Sequence, residues 1–227
     1  MTDIKNCSYT IIDYYPEVKK RSGTYRFFKR FLDIFFSLLF ILLLSWLYLL
    51  IGLVLLVTAK GRVIYIDKRV GRNNKAINVY KFTTMVKNAN KKVKELVGEE
   101  EYKEWLVERK IDSDTRVTRF GSFLRKTSLD ELPQLFNILA GTMSFIGPRP
   151  ITETEFLNFS EKQRELLLSV RPGLSGNWQV YSRSEVSFSS GKRQRIELEY
   201  FEHYSLAYDA SLFFKTIGVV LSQKGAK

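Results

Sequence analysis

The chain has 227 residues and carries 36 Lys and Arg against 24 Asp and Glu, a formal charge of +12. Its 45% hydrophobic content is too high for a disordered chain, and its length suits one domain or one domain with an appendage. A single cysteine, Cys7, excludes an internal disulfide, and a single histidine excludes multi-histidine metal sites.

Residues 1–28 form a polar, tyrosine-rich lead without strong periodicity, expected to be partly disordered. Ile34 to Ala59 then run for 26 residues without a charge, mostly Leu, Ile, Val and Phe. About 20 apolar residues span a bilayer as a helix, so a membrane segment is expected rather than a core helix. Its distance from the N-terminus and the lack of a small-residue cleavage site argue against a signal peptide.

Lys19, Lys20, Arg21, Arg26, Lys29 and Arg30 precede the run; Lys60, Arg62, Lys68, Arg69, Arg72 and Lys75 follow it, opposed by Asp67. Basic residues favour the cytoplasmic side. Equal flanks give no direction to a straight crossing, but both are accommodated by a re-entrant hairpin turning near Ser45 and Trp46. The residues alone leave both topologies open. A backbone broken at membrane depth needs polar partners, and the Ser45 hydroxyl is a candidate. Asp33, beside Lys29 and Arg30, reads as an ion pair at headgroup depth. The flanks would also attract anionic lipid.

Residues 62–66 and 76–82 are β-branched and aromatic around Gly71-Arg72-Asn73-Asn74, which predicts a small hairpin. Residues 87–110 predict a solvated helix or helical pair, with Glu99-Glu100-Glu101 as a solvated face. Leu132, Leu135, Phe136 and Leu139 make one apolar stripe, predicting a helix over 128–140 capped by Gly141. A short helix is expected at 160–170. A long aromatic amphipathic stretch is expected at 195–221, either interfacial or in the core. The fold class is α+β, mostly α, with a lead over 1–28, a re-entrant membrane helix over 29–60 and a catalytic domain over 61–227.

Chemistry concentrates in residues 116–150. Asp130 and Glu131 are adjacent carboxylates; Ser128 to Glu131 reads as an S-x-x-E capping box, the structural alternative to catalysis. Arg116, Arg119, Arg125, Lys126 and Arg149 surround them in sequence. Prolines on both sides of Arg149, in Gly147-Pro148-Arg149-Pro150, fix the guanidinium for a phosphate. Acids among bases fit phosphates with a divalent cation, or covalent attack on phosphorus. The phosphates of a nucleic acid would fit the bases equally well.

These residues resemble the bacterial sugar transferases, the monotopic phosphoglycosyl transferases. The resemblance runs from Lys29 to Leu221 through KRFLDI (29–34), KRVGRN (68–73), YKFTTM (80–85), residues 114–141, MSFIGPRP (143–150), RPGLSGNWQV (171–180) and SLAYDASLFFKT (205–216). It implies transfer of a sugar-1-phosphate from a UDP-sugar to polyprenyl (undecaprenyl) phosphate, initiating polysaccharide or glycoconjugate synthesis. Asp130 would be the nucleophile, forming a phosphosugar–aspartyl intermediate and releasing UMP. Mg²⁺ would sit at Asp130 and Glu131, with Glu131 positioning it or accepting a proton. Arg149 and Arg125 would hold phosphate. The expected location is the cytoplasmic face of the bacterial inner membrane. UDP-sugar, polyprenyl phosphate and membrane lipid are the expected partners, with no nucleic acid; a homodimer stays open. The implied re-entrant helix breaks at a Ser-Pro pair, favouring the hairpin.

The chain departs from the family at Trp46, where proline is expected, and at Ile66-Asp67-Lys68, Thr83 and Thr142. The departures at 66 and 83 remove bases that would support a phosphate or nucleotide role there. The alternative reading is a catalytically inactive membrane scaffold. The NWQV wording resembles the hexose-transferring members.

Overall fold

A computed structural model of the protein describes residues 11–89, 93, 102, 105, 114–182 and 190–222. The polar stretch at 87–110, with its three successive glutamates, lies almost wholly outside them. Helix α1 spans Gly23–Leu43, and Ser22 caps it by accepting a hydrogen bond from the Tyr25 N–H at 3.0 Å. It therefore starts six residues before the expected boundary at 29. The preceding segment is held in place: Gln163 Nε2 donates to the Ile12 and Tyr14 carbonyls, and Tyr14 Oη to Glu202.

Helix α2 spans Ser45–Thr58, and the pair is bent by 62°. No described helix alone is long and apolar enough to cross a membrane, whereas the bent pair together is. The break carries no proline and no side-chain cap. Leu44 leaves helical dihedrals, and its carbonyl accepts from Leu47 and Tyr48 to restart the helix. Packing supplies the bend. α1 lies on the later helices, while α2 buries Ile51 and Leu55 against Phe82 and Leu124. The outer faces stay apolar and exposed, with Phe27, Phe31, Phe35, Leu42, Trp46, Leu49, Leu53 and Val57 uncovered. α2 ends on Lys60 in the left-handed region, and the Gly61 N–H reaches back to the Leu56 carbonyl.

Strands β1 (Ile64–Val70) and β2 (Ala76–Phe82) form the expected antiparallel hairpin, with Asp67 opposite Val79. Its turn places Asn73 and Asn74 at positive φ, which asparagine tolerates. After α3 (Arg119–Lys126) and α4 (Gln134–Ala140), Gly141 closes α4 at φ +81° as expected. A two-stranded parallel pair follows, β3 (Ser144–Ile146) with β4 (Gly173–Ser175), which periodicity could not reveal in three-residue strands. Between them lie α5 (Glu153–Phe156) and α6 (Glu161–Leu168), the latter matching the helix expected at 160–170.

The stretch at 195–221 is not one helix. α7 (Asn177–Tyr181) and α8 (Lys192–Glu199) lead into a 3₁₀ turn over Tyr200–Glu202, and α9 spans Leu206–Leu221. Tyr200, Phe201 and Tyr204 fill the largest core cluster and are not interfacial, whereas Phe214 and Ile217 remain exposed.

Asp33 makes no ion pair among the described residues, contrary to the expected pairing. Its Oδ1 accepts from Ser144 Oγ and the Phe145 N–H, both at 3.0 Å, fastening α1 to β3. Its neighbours go elsewhere: Lys29 pairs with Asp209 at 2.7 Å, and Arg30 donates to the Ile138 and Leu139 carbonyls that end α4. Asp209 also accepts from Tyr25 and Tyr200 hydroxyls, so α9 is tied to α1 through one buried carboxylate.

Candidate active site

Gly121 sets the first side of the site. A Cβ there would collide with the Thr84 backbone, so only glycine lets α3 lie this close to the chain after β2. One turn on, Arg125 Nε donates to Thr84 Oγ1 at 3.0 Å. α3 then ends, and Ser128 turns the chain at φ +57°. Leu129–Glu131 form a 3₁₀ turn, and α4 starts only at Gln134, after Pro133.

This corrects both expectations for the segment. Residues 128–140 are a turn and a helix, and the capping box is absent because left-handed Ser128 makes no side-chain cap. Neither carboxylate is consumed by capping. Glu131 Oε1 pairs with Lys81 Nζ of β2 at 2.8 Å. Asp130 has no ion pair or side-chain hydrogen bond among the described residues. Burial pushes its carboxyl up to about 6, and the Glu131 charge adds to this while Lys81 and Arg125 pull it down. Burial likewise holds Arg125 below its ordinary value, opposed by Asp130.

The second side is the Gly147–Pro150 loop. Gly147, Gly173 and Gly176 pack backbone to backbone without room for a Cβ. The Arg149 N–H donates to Glu197 Oε2 at 3.0 Å. Its guanidinium lies 5.0 Å from the Trp178 ring centre, and that of Arg193 lies 4.6 Å from the same ring. Arg149 Nε, Trp178 Nε1 and Glu197 Oε1 are sealed from solvent and have no hydrogen-bond partner among the described residues. Burial, with Arg193 and Arg69 nearby, lowers Arg149 to about 10, and the Glu131 charge opposes this. Arg125 acts on Asp130, whereas the charge opposing the fall at Arg149 comes first from Glu155 and then from Glu131.

Glu155 organises the loop, accepting from Arg69 at 3.2 Å and Arg193 at 3.3 Å. Burial alone would raise its carboxyl, but Arg193, Arg69 and Arg149 hold it at about 2. Lys81, Thr84, Glu155, Trp178, Arg193 and Glu197 were not candidates from sequence. Lys81, Thr84 and Trp178 lie within blocks that carried the resemblance; the others had no signal.

Ser45 is exposed and opens α2 directly after the bend. Ile66 faces solvent on β1, and Thr83 is buried with its N–H on the Val63 carbonyl. Thr142 Oγ1 bonds Asn137, finishing α4.

Mg²⁺ characteristically takes one or two carboxylates together with substrate phosphates. Asp130 and Glu131, with Asp130 lacking a side-chain partner, fit that donor set. Among the described residues no cluster of three acidic, histidine or cysteine side chains offers a closed metal cage.

A bent apolar helix pair thus lies beside two adjacent carboxylates, with Lys81 paired to one and the Arg125 charge acting on the other. Residues 24–223 match the model of the bacterial sugar transferase family, and the chain belongs to that family. It is a transferase. It is similar to the exopolysaccharide production protein ExoY of Sinorhizobium fredii, 38% identical over 200 residues and 87% of both chains. The undecaprenyl-phosphate galactose phosphotransferase of Salmonella typhimurium is 40% identical over 91% of this chain and 43% of its own length. The UDP-glucose:undecaprenyl-phosphate glucose-1-phosphate transferase of Escherichia coli is 35% identical over 86% of this chain and 40% of its own. The chain thus spans most of the first relative and under half of the other two.

Proposed function

We propose that the protein transfers a sugar-1-phosphate from a UDP-sugar to undecaprenyl phosphate through an aspartyl intermediate, starting exopolysaccharide or capsule assembly. The observation that carries this is Asp130: a half-buried carboxylate with no ion-pair partner among the described residues, beside Glu131 and within reach of the Lys81 and Arg125 charges. An Asp130 Oδ attacks the β-phosphorus of the UDP-sugar. The bond from that phosphorus to the bridging oxygen breaks, and UMP leaves with the electron pair. A phosphate oxygen of undecaprenyl phosphate then attacks the same phosphorus and releases the Asp130 carboxylate. Two steps let a soluble and a lipid substrate use one site in turn.

Attack by one anion on another needs charge neutralisation. Arg125 and Arg149 supply it to the transferring and leaving phosphates, and Lys81 orients Glu131. Mg²⁺, held by Asp130 and Glu131, would add positive charge at the diphosphate. Glu131 positions that ion or takes a proton from the lipid phosphate.

The bend supports a re-entrant seat in the cytoplasmic face of the inner membrane. If both arms enter from one face, each leaves the membrane plane by half of the 62°. The apolar arms then reach roughly 10 Å deep, within one leaflet of a hydrocarbon core about 30 Å thick. Exposed Phe123 and Phe136, on the helices either side of the dyad, would lie at the surface where a lipid phosphate is confined.

The test is UMP release from a panel of UDP-sugars with undecaprenyl phosphate. Wild type should release UMP with at least one sugar, and Asp130→Asn with none. Full activity in the variant would remove Asp130 as nucleophile.

A further inference from the structure

A second basic site lies at the other end of α4 from the dyad. At ~1.5 Å per residue, the α4 carbonyls held by Arg30 lie about 12 Å along the chain from Glu131. Beside them a cleft encloses about 490 Å³ of empty space, part of it open to solvent. Arg21, Arg26, Lys29 and Arg30 line it from the start of the chain's first helix, Arg72 from the β-hairpin turn, and Arg171 from the loop before β4.

Some of this charge is already used. Lys29 is paired with Asp209, Arg21 donates to Ser169, and Arg30 to the end of α4. Arg171 spends its Nε on the Gly141 carbonyl at 2.7 Å, and its two terminal nitrogens make no hydrogen bond or ion pair among the described residues. Arg26 and Arg72 are exposed and make no ion pair or hydrogen bond through their side chains among the described residues. The lining carboxylate, Asp33, already accepts from Ser144 and Phe145. Burial and the charges of Arg72 and Arg30 hold Arg171 below its ordinary value. Six bases thus line the cleft against one lining carboxylate, Asp33, whose charge also acts on Arg171. The dyad does not use them.

The cleft borders the place where α1 turns apolar. Phe27, Phe31 and Phe35 are exposed on α1, at four-residue spacing and therefore on one face. Those rings lie on the face of α1 turned away from Arg26, Lys29 and Arg30; the cleft itself sits at the end of α1 that precedes the apolar run, which in the proposed membrane seat is the level of a headgroup phosphate. We propose that the Arg26–Arg72–Arg171 cleft holds the phosphate headgroup of an anionic phospholipid, separate from the lipid substrate at the dyad. The inference rests on the membrane seat proposed above. Arg72 couples the hairpin to the bilayer in this arrangement.

The test uses the full chain with phosphatidylcholine vesicles, with and without phosphatidylglycerol, and native mass spectrometry of the detergent-solubilised protein. Wild type should float with both vesicles, prefer those containing phosphatidylglycerol, and retain that lipid. Arg72→Glu should weaken this preference about ten-fold. Arg26→Ala should weaken it less, and Lys68→Glu, an exposed base outside the cleft, should leave it unchanged. Melting curves confirm that the variants fold. Equal losses in Arg72→Glu and Lys68→Glu would reduce the effect to diffuse charge and overturn the cleft. So would wild type that shows no preference. Arg72-dependent binding of inorganic phosphate, without lipid, would overturn the lipid source. Failure to float with any vesicle would break the membrane seat itself, whereas floating without an Arg72-dependent preference breaks only the cleft.

Discussion

Asp130 is half-buried and Glu155 buried, each with arginine charge nearby, and their surroundings push them in opposite directions. Glu155 has an arginine on each oxygen and sits near 2. Asp130 has no side-chain partner, faces another carboxylate, and is raised to about 6. Burial raises both; pairing decides which way each finally moves. The Glu155 region uses its ion pairs to hold a loop. The Asp130 region leaves a basic carboxylate oxygen uncommitted, as a nucleophile requires. Rigidity and reactivity are separated between two neighbouring sites.

The sharpest break of this comparison is activity. Asp130→Asn should lose at least about 10³-fold in UMP release while staying folded. An active variant would make the two carboxylates equivalent. Stability separates them next. Glu155→Gln removes the carboxylate that Arg69 and Arg193 share, and should cost about 1–3 kcal/mol in chemical denaturation. Gly121→Ala should cost about 1–3 kcal/mol, because its Cβ meets Thr84 backbone, and should impair turnover by displacing Arg125. A melting point and turnover equal to wild type would refute the packing argument.

The two acids should then show opposite pH dependence in chelator-treated protein. Stability from Glu155 is present above the ordinary glutamate range and lost as pH falls through about 2. The raised Asp130 favours the folded state at low pH, and that benefit is lost as pH rises through about 6. Asp130→Asn should therefore be more stable than wild type at pH 8, on the order of 1–3 kcal/mol, and equal to it below about pH 4. Lower stability at pH 8 would reverse the assigned environment. Smallest is the cation effect. Mg²⁺ near its Kd should stabilise chelated wild type by a few tenths of a kcal/mol (about RT ln 2), and should not stabilise Asp130→Asn. Equal stabilisation would place the cation elsewhere.

The sequence showed the parts of this comparison unevenly. The hairpin, the Gly141 cap and the apolar run were legible because each depends on local periodicity or turn chemistry. The dyad and Arg149 were legible as motif residues. Their surroundings were not: Lys81 meets Glu131 across 50 positions and Arg193 meets Glu155 across 38. Ser128 misled because S-x-x-E predicts a cap only where serine is extended, and here it is left-handed. Asp33 misled because helical spacing placed it beside Lys29 and Arg30, while tertiary packing gave each another partner. The bend escaped local reading for the same reason, since packing on both arms sets it.

The bent pair also grips α4 on two sides. Arg30 of α1 holds its last carbonyls, while Tyr48 of α2 donates to the Leu132 carbonyl, one residue beyond Glu131, at 2.6 Å. The two arms act as the jaws of a caliper closed on the segment that carries the dyad. The distance of Asp130 from the bend is therefore set by the protein's own contacts, and under the proposed function it would not change with the thickness of the bilayer. An acceptor of any chain length, seated by its headgroup at the surface, would meet Asp130 at the same level.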